Sequence, residues 1–181
     1  MSVINEVISR VLNVRSMVAA DLPRLLQIEK HPGGNGWIRH DLPSAPPGSD
    51  RSIWVATIHN HVVGYLDYQL VPESDAEDSE LGVGGPRGVW AKKTLSPAKL
   101  KVDVLHLMVS PDWRRRGIGR ALVERFDPKL THQRHCLVQA AVPECNLPMQ
   151  LLLRAANYKA VRILRGYYDE EDGYLMERLR S

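Results

Sequence analysis

The sequence predicts a single α/β domain, and three observations lead to that prediction. The chain has 181 residues, which is enough for one well-buried core and short for two ordinary domains. Segments with the alternation of strands and segments with the periodicity of helices follow each other along most of the chain. A glycine-containing turn joins the central predicted strand, residues 102–109, to an amphipathic helix that begins near Ile118. We expect residues 11–181 to form this domain behind a short N-terminal extension, residues 1–10.

Each predicted element rests on its own pattern of apolar residues and turn residues. The predicted strands are residues 11–15, 52–59, 62–71, 102–109, 135–142, 159–167 and 174–179. The predicted helices are residues 19–30, with Leu22, Leu25, Leu26 and Ile28 near one face, residues 118–126, which end before Pro128, and residues 147–156. Asp21 and Asn146 occupy predicted N-cap positions. Asn60 with His61, and residues 169–173, predict the turns of two hairpins.

Two long segments have neither pattern. Residues 31–50 are rich in glycine and proline, which predicts a loop. Residues 72–101 contain an acidic patch, a Gly-rich stretch and a pair of lysines. Structureless loops longer than about 15 residues are uncommon and often functional. We therefore interpret residues 72–101 as a lid, an acceptor-binding loop or a disordered insert.

The composition excludes several classes of protein. Apolar residues make up 44% of the chain, charged residues 25%, and the formal net charge is only +3, so the sequence gives no reason to expect a nucleic-acid partner. It has no stretch near the roughly 18 apolar residues that cross a bilayer and no secretion signal, which predicts a cytoplasmic protein without a membrane partner. Cys136 and Cys145 lack zinc-ligand spacing, and we interpret both as small packing residues.

The most informative motif lies in residues 110–122. Arg114, Gly117 and Gly119 fit the pattern [RQ]-x-x-G-x-[GA] directly after an apolar strand. Glycines allow successive main-chain N–H groups to converge on phosphate oxygens, and the helix that follows adds the positive end of its dipole. The motif therefore predicts a site for a pyrophosphate. A contact of Trp113 and residues 114–116 with nucleic acid is a competing interpretation, which the modest net charge disfavours.

The order of elements and two motifs resemble the GNAT superfamily of acetyl-CoA-dependent N-acetyltransferases. Residues 107–122 are similar to its strongest motif, and residues 142–149 to its second, in which an asparagine opens the next helix. The resemblance spans about residues 11–179 and implies a twisted, mixed but mostly antiparallel sheet of about six to seven strands with helices on both faces. The closing segment, residues 157–177, resembles the ribosomal-protein alanine N-acetyltransferases, whose acceptor is the α-amine of a protein N-terminus.

The resemblance also implies how the chain holds acetyl-CoA. The main chain of the central strand pairs with the pantetheine arm, and the turn after it encloses the pyrophosphate. The implied cofactor-binding residues are Leu107, Met108, Val109, Arg114, Arg115, Arg116, Gly117, Ile118, Gly119, Arg120 and Asn146. No metal is expected. An asparagine that opens a helix is also explained as an N-cap, and Gly64 is explained by close packing or a bulge, so no site is assigned to Gly64.

Transfer to an amine requires a neutral nitrogen. A lysine amine has a pKa of about 10.4 and an α-amine about 7.8, so an N-terminal acceptor needs only a weak base. Asp103 lies where several branches of the superfamily carry a glutamate or histidine base, and it is our candidate, although it could also mark an exposed strand start. His106 has suitable chemistry, but strict alternation points it away from the face of Asp103, and we interpret it as an ordinary packed or edge histidine. Glu144 is interpreted as a solvated loop carboxylate.

Two departures from the alanine-acetyltransferase pattern stand out. Ala141 replaces a catalytic glutamate, and Leu153 replaces the tyrosine that protonates the departing thiolate. Tyr158, Tyr167, Tyr168 or solvent could supply that proton. Tyr167 and Tyr168 also resemble the tyrosine pair that lies beside the acceptor groove in those relatives. The departures motivate an alternative, in which the chain is a non-catalytic acetyl-CoA sensor or interaction module.

Overall fold

A computed structural model of the chain describes residues 8, 10–30, 50–71, 100–125, 136–168 and 171–180. The strands are β1 (Leu12–Ser16), β2 (Arg51–Ile58), β3 (His61–Val71), β4 (Leu100–Val109), β5 (Cys136–Pro143), β6 (Lys159–Tyr168) and β7 (Glu171–Arg180). The helices are α1 (Leu22–Glu29), α2 (Ile118–Arg125) and α3 (Leu147–Ala155), with short 3₁₀ turns at Ala19–Asp21 and Pro111–Trp113. The predicted order of strands and helices is confirmed.

The strands form one mixed sheet. Their order across the sheet is β1-β2-β3-β4-β5-β7-β6. Only β4 and β5 are parallel, and every other neighbouring pair is antiparallel. The parallel pair follows from chain order, because α2 lies between these strands and carries the chain back to the starting end of the sheet. The expected mixed, mostly antiparallel sheet is confirmed.

Helices cover both faces of this sheet. On one face, α2 buries Ile118 and Leu122, and α3 buries Met149 and Leu153, in a core that also takes the side chain of Ile8. We call this the α2 face. On the opposite face, which we call the α1 face, α1 buries Leu25 and Ile28 against β2 and β3.

One prediction for α1 is wrong. Leu26 is 40% exposed, although the sequence placed it with Leu25 and Ile28 on the apolar face. The helix has eight residues, and its buried stripe is the i, i+3 pair Leu25 and Ile28. Leu26 lies about 100° round the helix from Leu25 and points outward.

A β-bulge in β4 changes which side chains share a face. Asp67 pairs with His106 while Tyr68 pairs with Val104, so Leu105 has no partner in β3. Val102 and Val104 before the bulge, and Leu107 and Val109 after it, all pack on the α2 face. By alternation from these neighbours, Asp103 and His106 both lie on the α1 face. The prediction that His106 points away from the face of Asp103 is therefore wrong.

Several element boundaries differ from the predicted ones. The β2–β3 turn is formed by His59 and Asn60, both with positive φ (48° and 66°), as a two-residue hairpin turn requires, and His61 already begins β3. β4 begins at Leu100, inside the predicted loop 72–101, and β7 begins at Glu171, inside the predicted turn. Residues 31–49 and 72–99, and also Phe126 and Pro128, lie outside the described residues.

Asp21 has a different role from the predicted N-cap. Its side chain makes no hydrogen bond to the first turn of α1. Instead, Arg15 Nη1 donates to Oδ2 at 2.7 Å, Arg15 Nη2 donates to Oδ1 at 2.9 Å, and the N–H of Val18 donates to Oδ2 at 2.9 Å. The bond from Arg15 holds the pKa of Asp21 below its usual value. This pair ties the end of β1 to the turn that leads into α1.

The two cysteines also differ from each other. Cys136 is buried at the start of β5, which confirms its packing role. Cys145 is exposed, and its main-chain N–H donates to Glu171 Oε1 at 2.7 Å, so the packing interpretation is wrong for Cys145.

Among the described helices, none is long and apolar enough to cross a membrane.

Candidate active site

β4 and β5 pair over only the first part of their length. The parallel register runs from Leu100 opposite Cys136 to Val104 opposite Ala140, although β4 continues to Val109 and β5 to Pro143. Beyond Val104, β4 keeps its pairing to β3, but within the described residues no strand pairs with its other edge. Main-chain N–H and C=O groups at such an edge need partners. An extended ligand can supply them by lying between the two strands.

Gly64 of β3 pairs with Val109 near the end of β4, on the edge of β4 opposite to the unpaired one. A Cβ atom at position 64 would lie 2.8 Å from the carbonyl oxygen of Met108 and 3.3 Å from Cα of Val109. β3 therefore approaches β4 more closely than any other residue type would permit. The structure supports both explanations that were open for Gly64: it packs closely against residues 108 and 109, and it borders a β-bulge at which Val63 has no partner in β2.

The turn after β4 is exposed and opens toward the start of α2. Arg115 and Gly117 both have positive φ, 61° and 81°. A Cβ atom at Gly117 would meet no atom of the described residues within 4 Å, so they leave the space in front of this glycine open. The N–H groups in the first turn of α2 have no partners within the helix. Together with the positive end of the helix dipole, they can hold an anion.

Four arginines lie in this turn and in the first turn of α2. Arg114 and Arg115 are exposed, and Arg114 Nε donates to the carbonyl of Val109 at 3.1 Å. The guanidinium of Arg116 lies 5.2 Å from the centre of the Trp113 ring. Arg120 is exposed and pairs with Glu124 one turn along α2, with 2.8 Å between Nε and Oε1. The segment in which the sequence predicts a pyrophosphate site is therefore rich in arginine.

Gly119 has a different reason to be glycine. A Cβ atom there would lie 3.2 Å from Cδ2 of Leu152 and 3.7 Å from Cγ2 of Val109. Gly119 therefore lets α2 pack closely against α3 and β4, whereas Gly117 allows the left-handed turn and leaves the opening clear.

Asp103 lies on β4 just before the two strands separate. Its Oδ1 atom is buried, and no donor among the described residues reaches it. Burial raises the pKa of Asp103 above the ordinary value, while the charge of Lys101 and a hydrogen bond from Gln139 act in the opposite direction. A carboxylate with a raised pKa and an unpartnered oxygen is suited to accept a proton.

A buried polar cluster lies beyond Asp103 on the α1 face, and sequence reasoning missed it. Asp67, directly opposite His106, is fully buried and bound by Arg51, whose Nε lies 3.0 Å from Oδ1 and whose Nη2 lies 2.5 Å from Oδ2. Tyr65 is also fully buried and donates to Glu29 Oε1 at 2.6 Å, and its burial strongly raises the pKa of the hydroxyl. The signal that could have found the cluster is the charged and polar residues inside apolar strands.

His106 belongs to this cluster. It is 8% exposed, and burial lowers its pKa, with the charges of Asp67 and Glu29 acting the other way and that of Arg51 in the same direction as burial. Its neutral form is therefore favoured, which agrees with the interpretation of a packed histidine.

Asn146 caps α3. Its Oδ1 accepts from the N–H of Met149 at 3.2 Å, which confirms the N-cap role, while contact with a cofactor stays a prediction. Glu144 is exposed, as expected of a loop carboxylate.

The tyrosines that the sequence analysis singled out fall into two sets. Tyr167 and Tyr168 at the end of β6 are half-buried and form an edge-to-face pair with 4.9 Å between ring centres. A Cβ atom at Gly173 would lie 2.8 Å from Cε2 of Tyr168, so this glycine makes room for the ring. Tyr158 and Leu153, by contrast, are buried together in the core of the α2 face.

No cluster of three or more potential metal ligands occurs in the part of the chain that the structure describes. The geometry is thus a strand edge that can pair with a ligand, an exposed arginine-rich turn at its end and a half-buried aspartate beside it.

Comparison with known proteins decides the family. The sequence profile of the Acetyltransferase (GNAT) family matches residues 22–158. The chain belongs to the GNAT acetyltransferase family. The resemblance that the sequence motifs implied is confirmed, and with it the class of enzyme.

Individual GNAT relatives agree with this assignment. An N-alpha-acetyltransferase from Saccharolobus solfataricus is 30% identical over 129 residues, which are 70% of this chain and 68% of the relative. The crystal structure of Arabidopsis thaliana NAA60 in complex with acetyl-CoA superposes with a TM-score of 0.67 at 23% identity, covering 93% of this chain and 98% of that one. The ribosomal-protein-S18-alanine N-acetyltransferase from Escherichia coli gives 0.65 at 19% identity, covering 94% of each chain. These two structures share the fold.

Proposed function

We propose that this protein transfers the acetyl group of acetyl-CoA to the α-amine of a protein N-terminus. The observation that carries the proposal is the open edge of β4 beyond Val104, which ends at an exposed, positively charged turn. The N-alpha-acetyltransferase relative supports an N-terminal acceptor. An Arabidopsis thaliana Naa50 structure of the same fold holds the bisubstrate analogue CoA-Ac-MVNAL.

The described residues suit acetyl-CoA in two places. The main chain of Leu107, Met108 and Val109 would pair with the amides of the pantetheine arm. The N–H groups around Gly117 would hold the pyrophosphate in the open space that this glycine leaves. A side chain at position 117 would occupy that space. When bound, acetyl-CoA supplies the acyl group as a reactive thioester.

The acceptor amine must lose a proton as the amide forms, and Asp103 would accept it. Its buried carboxylate has a pKa above the usual range, which brings it closer to that of an α-amine. A lysine acceptor would need a much stronger base, so the weak base present here favours an α-amine. Tyr167 and Tyr168 would line the acceptor side.

Leu153 leaves the departing thiolate without the tyrosine of the relatives. A thiol with a pKa of about 8.5 is a tolerable leaving group, so this loss costs about one or two orders of magnitude in rate, at the lower end of general-acid effects, rather than all activity. Release of the thiol therefore does not require a tyrosine at position 153. The protein is further proposed to act in the cytoplasm.

A turnover assay distinguishes the proposed transferase from the alternative, a non-catalytic acetyl-CoA sensor. Ala141 and Leu153 favour that alternative because they replace the glutamate and the tyrosine of the relatives. Thiol release from acetyl-CoA is measured with a library of peptides that have free N-termini, and with the same peptides blocked at the N-terminus. We expect turnover with the free peptides only, and its loss in Asp103→Ala. Tight acetyl-CoA binding by calorimetry without turnover on any peptide would instead support a sensor.

A further inference from the structure

The strands β6 and β7 lose their regular register near the end of β6. Leu164 pairs with Gly173 and Tyr168 pairs with Glu171, so residues 165–167 of β6 lie opposite one residue of β7. We call residues 165–167 the β6 bulge. A bulge disrupts the hydrogen-bond ladder and the alternation that sets side-chain directions in a regular strand. Other contacts are therefore needed to fix the main chain on which the tyrosine pair stands.

The side chain of Asp172, the one residue opposite the β6 bulge, binds the main chain of the bulge. Its Oδ1 accepts from the N–H of Gly166 at 2.9 Å, and its Oδ2 pairs with Nη1 of Arg165. Gly166 has a φ of 58°, a left-handed conformation that glycine adopts without strain. The side chain of Asp172 is 22% exposed and that of Arg165 is 78% exposed. Because an exposed ion pair contributes little, the hydrogen bond from Gly166 is the contact that holds the bulge.

The same end of the hairpin is attached to the end of β5. The N–H of Glu144 donates to the carbonyl oxygen of Asp172 at 2.9 Å. In register, Gly173 lies opposite Pro143, the last residue of β5. This part of β5 lies beyond Ala140, where its register with β4 ends. The β6 bulge is thus fixed beside the β5 wall of the gap between β4 and β5.

The ring of Tyr168 lies on the α1 face. Tyr174 packs on the α2 face, so its neighbour Gly173 faces the α1 side by alternation. A Cβ atom at Gly173 would lie 2.8 Å from Cε2 of Tyr168, which means that the ring covers the α1 side of this glycine. The ring of Tyr167 meets it edge to face. Tyr168 therefore stands on the same face as Asp103, next to the unpaired end of β5.

An acceptor can reach a thioester in this gap from the α1 face. The α2 face is closed there, because α2 and α3 bury Ile118, Leu122, Met149 and Leu153 in one core with the side chains of β4 and β5. Of the described helices, α1 lies on the other face, against β2 and β3. An acceptor peptide that approaches on the α1 face along β5 meets the ring of Tyr168.

We infer that Asp172 is a positioning residue for the acceptor: its carboxylate holds the main chain of the β6 bulge, and the bulge holds Tyr167 and Tyr168 beside the gap. This inference rests on the proposed function. Without the hydrogen bond to Gly166, the bulge would have to be ordered when the acceptor binds, and that ordering lowers affinity. Asp172 acts through the tyrosines and takes no part in the transfer of the acetyl group.

Three variants separate the two contacts of Asp172. Asp172→Ala removes both contacts. Asp172→Asn keeps the oxygen that accepts from Gly166, and Arg165→Gln is the matched control that removes the ion pair alone. The side chain of Asp172 lies outside both apolar cores, so we expect all three variants to fold.

The kinetic test measures kcat, the KM of a free N-terminal peptide and the KM of acetyl-CoA. We expect Asp172→Ala to raise the peptide KM about tenfold, the effect of one charge-assisted hydrogen bond, and to leave the other two constants unchanged. Asp172→Asn and Arg165→Gln should stay within about threefold of wild type. A wild-type peptide KM in Asp172→Ala would overturn the inference. Equal changes in kcat and both KM values, as a general structural defect gives, would also overturn it.

Solution NMR tests the geometry without turnover. A nuclear Overhauser effect between the ring of Tyr168 and an α proton of Gly173 is expected in wild type, Asp172→Asn and Arg165→Gln, because the ring covers this glycine. In Asp172→Ala this signal should be lost, while the signals between β5 and β7 persist and show that the variant is folded. An unchanged signal in Asp172→Ala contradicts the inference. Loss of the signal in a protein whose wild type acetylates no peptide would overturn the proposed function and leave the contact between Asp172 and the bulge intact.

Discussion

The substitution Gly64→Ala tests whether the β4 edge depends on close approach of β3. The added Cβ atom would lie 2.8 Å from the carbonyl oxygen of Met108 and 3.3 Å from Cα of Val109. Both neighbours are main-chain atoms, so no side chain can move aside, and the two strands must separate by several tenths of an ångström. Overpacking of this kind costs roughly 1–3 kcal/mol. For a domain of this size, 2 kcal/mol lowers the melting temperature by about 4–8 °C.

The same change displaces the main chain that would pair with the pantetheine arm. We expect acetyl-CoA affinity, measured by calorimetry at a temperature where the variant is folded, to fall about tenfold, the value of one hydrogen bond. The control is Gly119→Ala, which meets the flexible side chain of Leu152 at 3.2 Å and gains roughly 1 kcal/mol of helix propensity. Its stability should change little. Wild-type stability and affinity in Gly64→Ala would refute the reasoning.

Three further predictions follow from the site. Gly117→Glu should weaken acetyl-CoA binding at least tenfold by calorimetry, because it places a carboxylate in the anion site, while strain at positive φ costs only about 1–2 kcal/mol of stability; unchanged affinity would contradict this. Burial raises the pKa of Asp103, so the folded state holds its proton more tightly and loses stability as pH rises from the ordinary pKa to the raised one. Asp103→Asn should therefore melt at a higher temperature than wild type at neutral pH, yet be inactive, and a lower melting temperature would count against a buried charge. Asp67→Ala should cost about 3 kcal/mol in urea unfolding, since it leaves Arg51 without its bidentate partner, and a cost below about 1 kcal/mol would show that this pair matters little.

The sequence predicted the order of the elements and the glycine-containing turn after β4 because both depend on local patterns. The turn requires glycine at a position with φ of 81°, and a sequence displays that requirement directly. The parallel pairing of β4 and β5 follows from the helix between them. The Asn146 cap could likewise be predicted from a single residue and its place before an apolar run.

Features that depend on long-range register could not be predicted in the same way. The extra residue in β4 brings His106 onto the face of Asp103, and alternation alone gave the opposite answer. The sequence does contain a signal of this bulge. The apolar positions that pack on the α2 face shift from the even-numbered residues 102 and 104 to the odd-numbered residues 107 and 109. The N-cap role predicted for Asp21 was wrong for a similar reason. Its partner Arg15 lies across a turn whose geometry the local sequence pattern does not determine. The buried cluster of Arg51, Asp67 and His106 likewise depends on the pairing of three strands, β2, β3 and β4.

The central claim is that the β4 edge beyond Val104 and the turn at Gly117 hold acetyl-CoA. Hydrogen exchange at single amides tests this claim most directly. Exchange is followed by NMR with and without acetyl-CoA. We predict that acetyl-CoA slows exchange of amides within residues 105–109 and 117–120, and leaves the paired amides of β1 and β2 unchanged. Slowed exchange confined to other parts of the chain, with residues 105–109 unaffected, would contradict the account.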